Sequence, residues 1–240
     1  MLSGFNLVDL AILALLTLSV LLGLYRGACN TALNIVGLFL SLLIAKWCYP
    51  MVTEWIASHE KWMEYLVYFS EGSSHIPTDM MEFARMDVSL LDPQTIESVI
   101  AASNFTVPYD GILLSNITNQ VYAGTYSTLF EYFDQTIADY SLNTISFVLT
   151  FLFTYAVSSL LIILIDKTFV FPLLKVGDSL VGGALGIARL YFFMMVIAVM
   201  VPLVVNMLQI DLIRDLVNNS KFLVKFYPEN WFFGWIKAVL

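Results

Sequence analysis

The sequence predicts an all-α polytopic membrane protein with four transmembrane helices, an inserted, mostly helical extracytoplasmic subdomain and an interfacial C-terminal helix. Of its 240 residues 59% are hydrophobic, and only 12% are charged, which is about half the charged share of a soluble domain. Several apolar runs are long enough to cross a bilayer core of about 30 Å. The net charge of −8 excludes nucleic acid as a partner, because binding to phosphate backbones requires a basic surface.

The first two apolar runs predict a transmembrane hairpin over residues 1–49. Only Arg26 and Gly27 separate the two runs, so the chain must turn back at once, with Arg26 at the membrane surface. Pro50 follows the second run. It is expected to end that helix because proline lacks the amide hydrogen that a helix interior requires.

Two further apolar runs predict spans three and four within residues 141–205. The fourth run is longer than a minimal crossing, so its helix tilts or begins outside the lipid. The tail, residues 206–240, interleaves aromatic residues with lysines, which is typical of an amphipathic helix lying in the membrane interface. Pro228 and its polar neighbours argue against a fifth crossing.

Residues 50–140 differ from the rest of the chain in charge. They hold 13 acidic and two basic residues, a net charge of −11, whereas the remainder carries +3. Apolar residues recur at helical spacing, and Asp92 followed by Pro93 is a favourable helix start. We therefore predict a small, mostly helical subdomain of about 90 residues on one face of the membrane. Its acidity would suit an extracytoplasmic protein partner, in addition to the lipid bilayer that surrounds the spans.

Four charged residues in or beside the spans are the polar candidates: Asp9, Arg26, Asp178 and Arg189. Asp178 and Arg189 lie about three helical turns apart on one face, with roughly 16 Å between them along the axis. They cannot bond each other. Each therefore needs another partner, such as a helix terminus, Asn34, Asp9 or another subunit. Two interpretations stay open: a tether between helices, or a polar pathway or ligand-facing cavity.

Small residues recur at four-residue spacing in three of the spans. Gly23 and Gly27 close the first span, Gly37 begins a row of small residues in the second, and Gly182 and Gly186 lie in the fourth. This small-xxx-small pattern lets another helix backbone approach closely. The approach can occur within the chain or between copies, so a homo-oligomer is one of the predicted assemblies.

We predict no catalytic, cofactor or metal site. Gly177-Asp178-Ser179-Leu180 matches the nucleophile motif of GDSL hydrolases, but here it opens a membrane helix near the end of the chain. The two histidines, His59 and His75, precede it, and neither has Asp three residues earlier. His59 with Glu60 and Glu64 is interpreted as a solvated helix face, because no His-x-x-x-His pair exists.

Short motifs at both ends of the chain, within residues 1–50 and 141–228, carry a family resemblance. They are Asn6-Leu7-Val8-Asp9, Gly23-Leu24-Tyr25-Arg26-Gly27, the stretch from Val176 to Arg189, and the tail from Asn219-Ser220-Lys221 through Tyr227-Pro228. In order and spacing they resemble the colicin V production protein family, whose last span begins L-x-x-x-D-x-x-x-G-x-x-x-G-x-x-R. Ser179 stands where the family usually has Arg, and Leu190 where it usually has Gly. The family's loop between spans two and three is usually short, so residues 50–140 are expected to be an addition.

The resemblance implies a bacterial cytoplasmic (inner) membrane protein with four spans that supports colicin V production or secretion, or envelope homeostasis, without catalysis. It also implies that both termini lie outside the cytoplasm. The positive-inside rule agrees through Arg26, whereas the cations of the tail argue the reverse. We expect both termini and residues 50–140 to lie outside. The alternative function is that of a subunit of a small-solute or ion transporter or channel that uses Asp178 and Arg189.

Overall fold

The described chain is helical. The computed structural model describes residues 5–166, 175–208, 211–227 and 230–239. Pro228, which entered the argument against a fifth crossing, lies outside these residues. Extended pairing within them is limited to an isolated antiparallel bridge between Asp87 and Thr128. The all-helical part of the predicted fold class is thereby confirmed.

Three of the helices are much longer than the rest. In chain order the helices are α1 (Leu7–Ala57), α2 (Glu60–Ser70), α3 (Met81–Ala84), α4 (Pro93–Ala102), α5 (Tyr109–Thr118), α6 (Leu129–Asp166), α7 (Lys175–Leu208), α8 (Asp211–Asn218) and α9 (Leu223–Phe226). Short 3₁₀ turns lie at Gly72–His75, Thr78–Met80, Val88–Leu90 and Trp231–Trp235. Within the described residues, the segments long and apolar enough to cross a membrane are Leu7–Ala57, Leu129–Leu164 and Gly177–Asn206.

Helix α1 is broken at Gly27. The φ of 80° and ψ of 174° at Gly27 are non-helical, and a positive φ is disfavoured for residues that carry a Cβ atom. We call residues 7–26 the first arm and residues 28–57 the second arm. At about 1.5 Å per residue the first arm is roughly 30 Å long, so a membrane-crossing length lies on each side of the break.

The prediction that Pro50 ends the second helix was wrong, because α1 continues through Pro50 to Ala57. Proline removes the hydrogen bond to the carbonyl four residues earlier and its ring crowds that carbonyl, but helices in membrane proteins tolerate both effects. Tyr49 and Thr53, on either side of Pro50, are 1% and 2% exposed. We infer that the packing of these buried neighbours keeps the helix intact.

The prediction of a single interfacial helix in the tail was also wrong, because the tail folds as α8, α9 and a 3₁₀ turn. Its polar residues at the breaks are buried: Ser220 is 1% exposed and Asn230 is 4% exposed. Asn230 donates from Nδ2 to the carbonyl of Met195 at 2.7 Å. Both side chains bond to other parts of the protein, since Ser220 donates to Asp9, so the tail turns inward at its breaks.

The chain divides into two compact units. The first comprises the described residues within 1–49, 147–199 and 211–232, and the second those within 50–146, 200–210 and 233–240. The first unit buries Leu38, Leu42, Ala45, Phe147 and Phe151. The second buries Tyr109, Leu113, Ile117, Phe133 and Ile137.

Helix α4 of the second unit begins as predicted. Asp92 is its N-cap and accepts a hydrogen bond from the backbone N–H of Thr95 at 3.2 Å, with Pro93 in the first turn. Hydrogen bonds from the hydroxyl and backbone N–H of Thr95 lower the pKa of Asp92 below its ordinary value. Ile96, Val99 and Ile100 are buried on one face, which confirms the amphipathic pattern.

A buried tyrosine and a buried carboxylate join the loop before α6 to that helix. The Tyr122 hydroxyl donates to Oδ2 of Asp139 at 2.8 Å, and Gln135 Nε2 donates to Oδ1 at 2.7 Å. Asp139 is 1% exposed. Burial and the charge of Asp139 raise the pKa of Tyr122 above its ordinary value, so the hydroxyl stays protonated as a donor.

Replacing Tyr122 with phenylalanine is expected to lower the free energy of unfolding by about 1–3 kcal/mol, because the buried carboxylate of Asp139 loses a donor. Chemical denaturation of the full-length protein in detergent would measure this loss. The matched control is Tyr126→Phe, which removes a 3.0 Å bond to the neutral Gln135 amide at a partly exposed position. Equal losses in both variants would contradict the prediction.

Candidate functional site

Two neighbouring residues of α7 satisfy the backbone groups that the Gly27 break leaves open. In an uninterrupted helix the N–H of Ala28 would bond to the carbonyl of Leu24. Instead, Oδ1 of Asp178 accepts from the N–H of Ala28 at 2.9 Å, and the hydroxyl of Ser179 donates to the carbonyl of Leu24. The Asp178 carboxylate also lies at the start of the second arm, where the helix dipole favours negative charge.

The glycines of α7 pack directly against the first arm. A Cβ atom on Gly182 would overlap the carbonyl of Gly23 and approach the backbone carbon of Gly27 to 2.6 Å. Four residues on, the carbonyl of Gly186 accepts a hydrogen bond from the Ser19 hydroxyl at 2.8 Å. We call this contact between residues 19–27 and 178–186 the glycine seam. It lies within one chain.

The second arm packs against α6 through small and hydroxyl residues. A Cβ atom on Gly37 would approach Cδ1 of Ile162 to 2.5 Å. One turn further, the hydroxyl of Ser41 lies 3.0 Å from that of Ser158, and Thr154 donates to the Ser41 carbonyl at 3.2 Å. Gly37 therefore faces α6, whereas the other four glycines singled out from the sequence lie in the glycine seam.

Asp9 is fully buried where the first arm meets the tail. Its Oδ1 accepts from the Ser220 hydroxyl at 2.8 Å and from the N–H of Phe222 at 3.3 Å. Its Oδ2 accepts from the N–H groups of Lys221 and Asn6, each at 3.3 Å. Asn6 Oδ1 in turn accepts from the N–H of Asp9 at 2.9 Å, a reciprocal pair of the capping-box type. Asp9 thus fastens residues 220–222 to the start of α1.

Arg26 and Arg189 line one cavity of about 430 Å³ together with Asn30 and Asn34. Arg26 is exposed at the break, and Arg189 is half-buried. Among the described residues neither arginine has a hydrogen-bond or ion-pair partner. A charge near the centre of a membrane helix costs about 2.5–3.5 kcal/mol by insertion scales, so an unpaired Arg189 requires an explanation.

The structure separates the polar candidates into three places. Asp178 lies in the glycine seam, Asp9 lies under the tail, and the two arginines lie on the cavity. Asp178 does not line that cavity, so Asp178 and Arg189 do not share a site in the described chain.

Sequence reasoning missed the hydroxyl partners of this site, Ser19, Ser179 and Ser220. Serine is common in membrane helices, and its spacing alone does not identify the residue that it will contact. One usable signal was the position of Ser179 next to Asp178, since two adjacent polar residues at a helix start can serve two open backbone groups. Ser220 lay in the tail motif, but nothing in that motif pointed to Asp9.

These features define, over the described residues, a helical protein of the polytopic membrane class, whose long apolar helices meet through glycines and through hydrogen bonds at helix ends. The chain belongs to the colicin V production protein family, whose profile matches residues 8–74 and 98–227. None of the curated proteins and none of the solved structures compared with the chain matches it.

The family match extends further than the sequence motifs indicated. We expected all of residues 50–140 to be an addition to the family, and this was wrong, since only residues 75–97 of that segment lie outside the matched ranges. The unmatched part holds the two short 3₁₀ turns Thr78–Met80 and Val88–Leu90, α3 and the beginning of α4. The flanking parts, although acidic, follow the family pattern closely enough to be matched.

Proposed function

We propose that this protein is a non-enzymatic, four-span protein of the bacterial cytoplasmic membrane that supports toxin production and secretion or envelope homeostasis. Membership of the colicin V production protein family is the observation that carries the proposal. The glycine seam is consistent with it, because the motif residues of that family resemblance, Asp178, Gly182 and Gly186, all make contacts that hold helices together.

Four crossings follow if the chain crosses once with each arm of α1 and once each with α6 and α7. The break at Gly27 supports this topology, since each arm has enough apolar residues for a bilayer core of about 30 Å. Arg26 would then lie on the cytoplasmic side, as the positive-inside rule favours. Both termini and residues 50–140 would lie outside the cytoplasm.

Reporter fusions test the topology. We expect a periplasmic reporter such as alkaline phosphatase to be active at residue 100 and at the C-terminus, and a cytoplasmic reporter to be active at residue 170. The reverse pattern at all three positions would overturn the orientation. An active periplasmic reporter at both residue 100 and residue 170 would overturn the number of crossings.

Deletion of the gene in the native host tests the role. We expect reduced secretion of a colicin V-type peptide toxin, or increased sensitivity to detergents, and restoration of the deficit by the wild-type gene. Gly177→Ala should also restore it, because no described atom lies within 4 Å of the added Cβ. A deletion strain with unchanged secretion and unchanged detergent resistance would contradict the proposal.

The proposal that the protein is not an enzyme has its own test at Ser179. The Ser179 hydroxyl donates to the Leu24 carbonyl, a structural use that does not require a reactive serine. We therefore expect a serine-reactive phosphonate probe to label the wild type and Ser179→Ala equally weakly. Labelling that disappears in Ser179→Ala would favour a hydrolase.

Partner proposals rest on charge and packing. The net charge of −11 on residues 50–140 supports docking of a basic extracytoplasmic protein. Homo-oligomerisation stays a prediction, and the glycine patterns lend it no support because their small faces are occupied within the chain. The transporter alternative needs Asp178 and Arg189 on one pathway. The engagement of Asp178 by the N–H of Ala28 does not favour it.

A further inference from the structure

The cavity beside Arg189 is cationic and lies within the first unit. Its volume of about 430 Å³ lies in the range of small-molecule sites, roughly 300–1,000 Å³. Its polar lining comes from α1, α6 and α7: Arg26, Asn30, Asn34, Tyr155, Ser159 and Arg189. No acidic residue is among the lining residues, so the cavity has two positive charges and no negative one.

The lining side chains offer hydrogen-bond donors. Oδ1 of Asn30 accepts from Nδ2 of Asn34 at 2.7 Å, and the amide nitrogen of Asn30 has no acceptor among the described residues. The guanidinium groups of Arg26 and Arg189 likewise have no acceptor there. Two planar guanidinium forks with an amide and hydroxyl donors suit a phosphate group, which arginine binds in bidentate fashion.

A second, apolar cavity of about 220 Å³ shares two residues, Tyr155 and Arg189, with the first. The remaining lining residues are mostly leucines and a phenylalanine, among them Leu15, Leu18, Leu22 and Phe193. Tyr155 is held at the junction by ring contacts with Phe151 and Phe193, at 5.7 and 5.9 Å between centroids. Leu18 is 53% exposed, so the apolar cavity opens on the surface of the apolar helices.

We propose that the two cavities form one binding site for an anionic membrane lipid. The phosphate would bind between Arg26 and Arg189, and an acyl chain would lie along Leu15, Leu18 and Leu22. A lipid fits better than free phosphate because the cationic cavity adjoins an apolar one across Tyr155 and Arg189 and lies in helices of membrane-spanning length. It also supplies the counter-charge that Arg189 lacks among the described residues. The inference goes beyond the proposed function and requires only that the protein is embedded in a membrane.

Equilibrium binding of chain-labelled dioleoylphosphatidylglycerol to the full-length protein in uncharged detergent micelles tests this site. Unlabelled phosphatidylglycerol should displace the label, whereas dioleoylglycerol, which lacks the phosphate, and sodium phosphate, which lacks the chains, should not. Arg189→Gln and Arg26→Gln should each weaken binding by about tenfold or more, as expected for the loss of a charge-assisted contact to phosphate.

The matched control is Arg85→Gln, which removes an exposed arginine in the second unit and should leave the affinity unchanged. Equal weakening by all three arginine variants would overturn the proposal in favour of non-specific attraction. Displacement of the labelled lipid by dioleoylglycerol would show that the phosphate is not recognised and would overturn the proposal. Displacement by sodium phosphate at a similar concentration would overturn the assignment of the ligand as a lipid. If Arg189→Gln fails to fold, the affinity of Arg26→Gln for the lipid tests the proposal, because Arg26 is exposed and its loss should not disturb packing.

Discussion

Replacing Gly182 with alanine is expected to lower the free energy of unfolding by about 3 kcal/mol, a loss at the upper end of the range for overpacked sites. The added Cβ would meet the carbonyl carbon and oxygen of Gly27 at 2.6 and 2.9 Å and overlap the Gly23 carbonyl. These are backbone atoms at the break in α1, so they cannot move aside as a flexible side chain could. The seam would have to open, which would break the hydrogen bond that Asp178 accepts from Ala28 and the one that Ser179 donates to Leu24.

Gly177 provides the matched control for this substitution in the same helix. An alanine there has no described atom within 4 Å of its Cβ, and alanine is the better helix former by about 1 kcal/mol. Gly177→Ala should therefore be neutral or slightly stabilising. Unfolding in mixed micelles of increasing dodecyl sulfate content would compare the two variants with the wild type. Similar midpoints for Gly182→Ala and Gly177→Ala would show that the seam is not tightly packed.

Replacing Asp9 with alanine is expected to cost roughly 3 kcal/mol of the free energy of unfolding, because hydrogen bonds to a charged acceptor contribute about 1.5–3 kcal/mol each and are not additive. The variant would leave the hydroxyl of Ser220 and the N–H groups of Lys221 and Phe222 without their acceptor. The tail should detach locally before the long helices unfold. Limited proteolysis should therefore cut within residues 211–227 faster than in the wild type.

Asp215→Ala is the control for Asp9→Ala, since Asp215 is an exposed carboxylate in α8 of the same tail. It should change neither the unfolding midpoint nor the rate of tail cleavage. Ser220→Ala adds a double-mutant cycle, because Ser220 donates to Asp9 and also accepts from the N–H of Leu223 at 3.1 Å. Fully additive losses from Asp9→Ala and Ser220→Ala would contradict a direct bond between the two side chains.

The residues in both predictions show which features of the site could be predicted from the sequence. The spacing of the glycine pairs predicted that another helix can approach closely, and the charges of Asp9 and Asp178 predicted that each needs a partner. The sequence did not predict which helix faces would contact each other. The small-xxx-small pattern is the same for a contact within the chain and between copies, and a buried carboxylate accepts hydrogen bonds equally well from a helix end, a hydroxyl or an amide.

The two wrong predictions about helix ends have a common physical cause. We expected Pro50 to end its helix and the tail to form a single helix. Both expectations rested on local preferences of the backbone. Those preferences are worth about 1–3 kcal/mol. The buried packing of Tyr49 and Thr53, and the inward bonds of Ser220 and Asn230, act in the opposite direction. These tertiary contacts override the local preference of the backbone at both places.

Composition and periodicity by themselves predicted a helical protein with apolar segments of membrane-spanning length, where those segments lie and where α4 begins, and short motifs in a set order indicated the family to which the chain belongs. These properties depend on residues close together in sequence, or on short motifs in a set order. Only the tertiary structure decided that Asp178 and Ser179 bond to the backbone groups left open by the break at Gly27, and that Asp9 accepts hydrogen bonds from the tail. It also decided that Arg189 lines a cavity and has no partner among the described residues. The bonding partners lie 150 residues apart for Ala28 and Asp178, and 211 apart for Asp9 and Ser220. Hydrogen bonds are short and directional, so no local pattern specifies a partner at such a separation.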